Sequence, residues 1–143
     1  MILAGGVGSR FWPASTPDRP KQLLSLATEH PLVVDTFRRS EGIVSPENIR
    51  LLANADITAA FRTLPEKWEE EVYWIEPQAK GTCAALAWAA WLIEKECPGA
   101  VMISLHSDHR IEPLQDFQEA ISVAVEVARK HEALVCLGVK PDR

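Results

Sequence analysis

Short apolar runs bounded by turn residues recur along this chain of 143 residues, and helical patterns separate them. The runs are Met1–Ala4, Ile49–Ala53, Val72–Ile75, Ala100–Leu105 and Ala133–Val139. Their length suits strands, and their continuous apolar character suits strands buried on both faces. Between them, "PLVVDTFRRSEGIV" opens with Pro31 at a first-turn position and stops near Gly42, as helices do. "DITAAFRTL" offers Asp56 as a helix N-cap. "GTCAALAWAAWLIEKEC" is alanine-rich with charges only in its last turn, which predicts burial of most of its circumference, Trp88 and Trp91 included. A last helix around Gln115–His131 carries Phe117, Ile121, Ala124, Val125 and Ala128 on one side. Strands alternating with helices in this way imply βαβ units: an α/β fold with a mostly parallel sheet and helices on both faces.

The totals narrow the function classes. A hydrophobic share of 47%, a charged share of 24% and one domain's length describe an ordinary globular chain. A net charge of −5 argues against a nucleic-acid surface, which would show a basic stripe. No stretch approaches the roughly 18 apolar residues of a membrane span, and no targeting segment is expected. Cys83, Cys97 and Cys136 have no metal-ligand spacing and lie in apolar sequence, so they read as reduced structural thiols of a cytoplasmic protein.

In parallel sheets the binding crevice lies beyond the carboxyl ends of the strands. Three polar clusters fall on that edge: the loop Gly5-Gly6-x-Gly8-Ser9-Arg10 after the first strand, Glu76-Pro77 after the third, and Ser107-Asp108-His109 after the fourth. Glycines let backbone N–H groups approach a ligand without a Cβ in the way, and an arginine supplies a fixed cation with a planar fork of donors. The spacing is not that of a P-loop, and the loop does not open straight into a helix. It stays irregular through several prolines until Lys21, eleven residues after Arg10. Such a loop can fold over a triphosphate and bring both cations to it.

The stretch "LAGGVGSRFWPASTPDRPKQLL" resembles the signature of the sugar-phosphate nucleotidyltransferases, and among them the mannose-1-phosphate guanylyltransferases. Their pattern, L-A-G-G-x-G-[TS]-R-x-W-P-x-S and then P-K-Q, is met at every fixed position by Leu3–Ser15 and Pro20-Lys21-Gln22. "IEPQAKGTCAAL" is similar to the family's E-P-x-x-[RK]-N-T-A segment, and "SLHSDHRI" to its L-P-x-D-H-x-I segment. Departures are Gly81 for asparagine, Cys83-Ala84 for alanine-proline and His106 for proline. The resemblance covers essentially the whole chain. It implies a Rossmann-like fold and an N-terminal part, residues 1–143, that ends before the family's sugar-binding segment.

It also implies roles. The backbone of Leu3, Ala4, Gly5 and Gly6 would border the nucleotide, with Gly8 in the same loop. Arg10 and Lys21 would hold the phosphates and stabilise charge on the transferred group. Asp108 would ligate a Mg²⁺. Glu76 would choose the base, since a carboxylate accepts from guanine N1–H and N2–H₂ at once. The implied partners are GTP and a sugar-1-phosphate, mannose-1-phosphate first; an oligomer is compatible with the sequence. His109 reads as a loop brace rather than a catalytic base. Two alternatives stay open: a thymidylyl- or uridylyltransferase of the same class, and a nucleotide-binding or regulatory module without chemistry.

Overall fold

The structure, a computed structural model, describes residues 1–6, 8, 11–26 and 28–140. Two compact units divide it: Met1–Arg110 and Ile111–Arg143. The first holds a four-stranded sheet of β1 (Ile2–Leu3), β2 (Leu51–Ala53), β3 (Tyr73–Ile75) and β4 (Leu105–His106). Its order is β3-β2-β1-β4, and every pair is parallel. The register places Leu3 beside Leu52 on one flank and His106 on the other, and Leu52 beside Trp74.

Apolar clusters cover both faces of the sheet around β2, which is buried throughout. Ile75 at the end of β3 and His106 in β4 are exposed, short of the full burial expected of the apolar runs. Alternation along each strand sends neighbouring side chains to opposite sides. Ile2, Leu51, Ala53 and Tyr73 join one cluster with Val33, Val34 and Phe37 of α1 (Leu32–Glu41) and Ile57 and Phe61 of α2 (Ala55–Phe61). Leu3, Leu52 and Trp74 join the other with Ala85, Trp88 and Ala89 of α3 (Thr82–Glu96). The topology explains the split. From β1 the chain winds outward to β2 and β3, then returns to β1's free flank as β4. Right-handed crossovers in opposite directions put their helices on opposite faces.

Local signals explain both ends of α1 and the start of α2. Pro31 precedes α1 and Gly42 follows it, with Asp35 in the first turn and Arg38 and Arg39 in the last, charges that complement the helix dipole. The α2 cap differs from expectation: Asn54, not Asp56, occupies the N-cap, and its Oδ1 accepts from the Ile57 N–H at 2.8 Å. Asp56 lies inside the first turn.

Three further expectations are corrected. The α3 surface is mostly open: only Ala85 and Ala89 are buried, and Trp91 is 53% exposed with the Lys95 ammonium 3.8 Å from its ring centroid. Alanine's small size let one narrow stripe meet the sheet while the rest faces out. The three cysteines are free but exposed, not packed in apolar surroundings. The run Ala133–Val139 forms no strand. Its backbone has no ladder partner among the described residues, and Leu134 and Val139 are almost fully exposed.

In the second unit, α4 (Leu114–His131) buries Phe117 and Ile121 and half-shields Ala124, Val125 and Ala128, the predicted stripe. No helix among the described residues is long and apolar enough to cross a membrane.

The observed cap is testable. Asn54→Ala should lower stability by about 1 kcal/mol, the usual worth of an N-cap, whereas Asp56→Ala should change it by no more than a few tenths. Denaturant melts of both variants decide which residue caps α2.

Candidate active site

Strand order reverses at β1, between β2 and β4, and ligands of open α/β sheets bind at such a switch point. The loops that leave the sheet there are the glycine loop and Ser107-Asp108. A cleft of about 280 Å³ opens between them. It is lined by Leu3, Gly5, Gly6, Lys21, Glu76 and Asp108, all six singled out by the sequence, together with Leu52, Ala79, Gly81, Thr82, Ala85, His106 and Ser107.

Lys21 starts a single 3₁₀ turn, Lys21–Leu23, and its Nζ donates to Asp108 Oδ2 at 2.5 Å. The two side chains are 18% and 24% exposed, so the pair sits at the cleft's mouth rather than in its depth. Burial alone pushes the Asp108 carboxyl upward. The hydrogen bond and charge of Lys21, a backbone N–H and the nearby His109 outweigh it and hold the group below its ordinary value.

The Asp108 loop is fastened from behind. Ser107 is buried, its N–H donates to the Leu3 carbonyl at 3.1 Å, and its carbonyl lies 3.3 Å from Thr36 Oγ1 of α1, whose single proton it shares with the Leu32 carbonyl at 3.0 Å. Arg39 Nη2 donates in turn to that hydroxyl at 3.0 Å. Burial lowers the Arg39 guanidinium from its usual value, while the charge of Asp35 pulls it the other way.

The glycine loop has a different fastening. Gln22 is fully buried, and its Nε2 donates to the carbonyls of Ala4, Gly5 and Gly6 at 2.7, 3.1 and 3.2 Å. Its Oε1 has no partner among the described residues. Ala4 is buried behind the cleft, with its N–H given to the Leu52 carbonyl at 2.9 Å. Gly8 also supports rather than lines: with φ of +65°, it faces a spot where a Cβ would stand 2.7 Å from Ser15 Oγ and 2.9 Å from Lys21 Cβ. A side chain there would push Lys21 off its position. Arg10 lies outside the described residues.

On the far wall, the Glu76 N–H bonds the Ala53 carbonyl at 2.8 Å, which seats Glu76 half-buried just past β3. Gly81 precedes α3 at φ +85°, ψ +169°, a conformation essentially reserved for glycine. His106 occupies the wall beside Asp108, and its ring centroid is 5.2 Å from that of exposed His109. His109 therefore touches His106 by ring contact. In the sequence Gln22 stands out only as part of a motif, and neither Thr36 nor Ser107 stands out by itself. An amide directly after a predicted phosphate-binding lysine is the one signal that pointed to Gln22.

The whole chain, residues 1–143, matches the nucleotidyl transferase family. The alginate biosynthesis protein AlgA of Pseudomonas syringae pv. tomato is 32% identical over 150 residues, covering 100% of this chain and 30% of that protein. The mannose-1-phosphate guanylyltransferase of Escherichia coli is 31% identical over 146 residues, covering 99% and 30%. Among solved structures, the mannose-1-phosphate geranyltransferase of Thermus thermophilus superposes with a TM-score of 0.77 at 30% identity, over 89% of this chain and 37% of that one. The chain thus spans about 30% of the length of these curated relatives. With its parallel sheet and its cleft at the strand-order reversal, the chain belongs to the nucleotidyl transferase family.

Proposed function

We propose that residues 1–143 are the nucleotide-binding part of a mannose-1-phosphate guanylyltransferase, a protein that converts GTP and mannose-1-phosphate to GDP-mannose and pyrophosphate. The observation that carries this reading is the convergence of the glycine loop, Lys21, Glu76 and Asp108 on one cleft. The name of the Escherichia coli relative supports the substrate pair, and that of the Thermus thermophilus structure supports mannose-1-phosphate as one member of it.

The chemistry is an in-line displacement. A phosphate oxygen of mannose-1-phosphate bonds to the α-phosphorus of GTP as the bond to the pyrophosphate oxygen breaks. That attacking oxygen is already anionic, so no general base is required. The protein's work is positioning and charge neutralisation. Lys21, and Arg10 from the glycine loop, would stabilise the negative charge that moves onto the leaving pyrophosphate.

Nucleotidyltransferases typically use a divalent metal, and the proposed ion is Mg²⁺. The donor set fits. No three His, Cys, Asp or Glu side chains among the described residues form a metal cluster. Mg²⁺ needs only one or two carboxylates beside phosphate and water oxygens, and Asp108 offers a hard oxygen in the cleft. Bound there, the ion would neutralise phosphate charge. Asp108 would exchange its Lys21 partner for the cation, which frees the Lys21 ammonium for a phosphate.

Glu76 would read the base. A carboxylate accepts both guanine donors, whereas uracil and thymine present only N3–H. A partner lost from such a site typically costs a few kcal/mol, a preference of about 10²-fold.

Four outcomes test this site. GTP with Mg²⁺ at a hundred times its dissociation constant should stabilise the chain by about 2.7 kcal/mol in thermal melts, with UTP and dTTP far weaker. Glu76→Gln should shrink that preference at least tenfold, and Lys21→Ala should weaken GTP binding by a similar factor. An unchanged base preference in the Glu76 variant would move the reading toward a uridylyl- or thymidylyltransferase. Finally, the lowered folded value of Asp108 means that its bond to Lys21 stabilises the fold fully above the ordinary value of 3.8. That contribution disappears as pH falls through the lower, folded value. Asp108→Asn should therefore flatten the acid limb of the stability–pH curve and leave its shape above pH 6 unaltered.

A further inference from the structure

Gln22 stands one residue from a candidate phosphate-binding lysine, yet it is sealed from the cleft. Its amide nitrogen carries two hydrogens and faces three carbonyl oxygens, those of Ala4, Gly5 and Gly6, all within 3.2 Å. That environment fixes the amide's orientation, because the opposite flip would set Oε1 against three acceptors. Oε1 is left without a partner among the described residues. An apolar side chain of the same length would avoid burying that oxygen, so packing alone does not call for an amide here.

The consequence lies on the other side of the loop. Apart from two X-Pro bonds elsewhere, the described peptides are trans, and in a planar trans peptide the C=O and the following N–H point in opposite directions. Drawing the Ala4 and Gly5 carbonyls inward to Gln22 turns the N–H groups of Gly5 and Gly6 away from it. Both glycines line the cleft. Gly6, at φ +99°, holds a conformation open to it without strain. Successive N–H groups turned the same way form a concavity suited to an anion.

We propose that Gln22 is a positioning residue, whose buried amide holds the glycine-loop carbonyls inward and thereby presents the Gly5 and Gly6 N–H groups to an anionic group of the nucleotide. The proposal rests on the nucleotide-site reading above, but the brace itself is measurable without a ligand.

The test uses the 143-residue chain, labelled with ¹⁵N. In the wild type, the side-chain amide protons of Gln22 should exchange slowly with water; rapid exchange would overturn the brace without need of any variant. In ligand-free Gln22→Met, the backbone order parameters of Gly5 and Gly6 should fall from the rigid range near about 0.85 toward the flexible range below about 0.6. Resonances of α2 should stay in place. Gln22→Glu, which sets carboxylate oxygens against the same carbonyls, should act in the same direction and serves if the Met variant does not fold. GTP affinity, titrated at a temperature where each variant is fully folded, should drop at least tenfold. Rigid glycines in the variants, or loosened glycines with unchanged GTP affinity, would overturn the positioning role. A wild-type chain with a slow Gln22 amide and no affinity for GTP would instead remove the nucleotide reading and leave the brace as a purely structural device, which also overturns the proposal.

Discussion

Three backbone hydrogen bonds at the top of the parallel ladder set everything above them. The Ala4 N–H reaches the Leu52 carbonyl, the Ser107 N–H the Leu3 carbonyl and the Glu76 N–H the Ala53 carbonyl, at 2.8–3.1 Å. Each is the last rung before its chain leaves the sheet. In-register parallel pairing makes strands end at one level, so the glycine loop, the Asp108 loop and Glu76 emerge at the same edge. Gly5 and Asp108, more than a hundred positions apart in sequence, thus come to line one cleft.

What the ladder leaves loose is fastened by side chains of two kinds. Buried, uncharged groups hold backbone: Gln22 takes the glycine-loop carbonyls, and Thr36 takes the Ser107 carbonyl. The charged groups, Lys21 and Asp108, hold each other at the rim, where water and a ligand can compete for them. This division suits a site that binds a polyanion. The backbone of both loops is held by uncharged groups, and the Lys21–Asp108 pair adds stability at the rim, where a substrate can take its place.

Much of this was legible in the residues. Continuous apolar runs between helical patterns gave away a parallel sheet buried on both faces, because only such a sheet hides both sides of Leu51-Leu52-Ala53. The positions of Gly5, Gly6, Lys21, Glu76 and Asp108 just past predicted strands placed all five at one edge. The misses share a cause, in that they depended on neighbours rather than on local pattern. Trp91 is apolar but half-exposed, with only the Lys95 ammonium set over its ring among the ring contacts of the described residues. Ala133–Val139 has strand composition but no ladder partner among the described residues. Asn54 outcompeted Asp56 because the cap is decided by where the ladder releases β2, and not by which acidic residue comes first. Gln22 shows in the sequence only as part of a motif and Thr36 not at all, since a brace is defined by the carbonyl it meets across the fold.

The central claim is that the cleft at the β1–β4 reversal takes a nucleoside triphosphate. Titrating the ¹⁵N-labelled chain with GTP and Mg²⁺ tests it residue by residue. The account predicts saturable shifts of the backbone amides of Gly5, Gly6, Glu76 and Asp108, with those of α2, which packs into the first cluster and does not line the cleft, unmoved. Saturable binding that shifts a different surface, or no shift at those four amides at millimolar GTP, would contradict it.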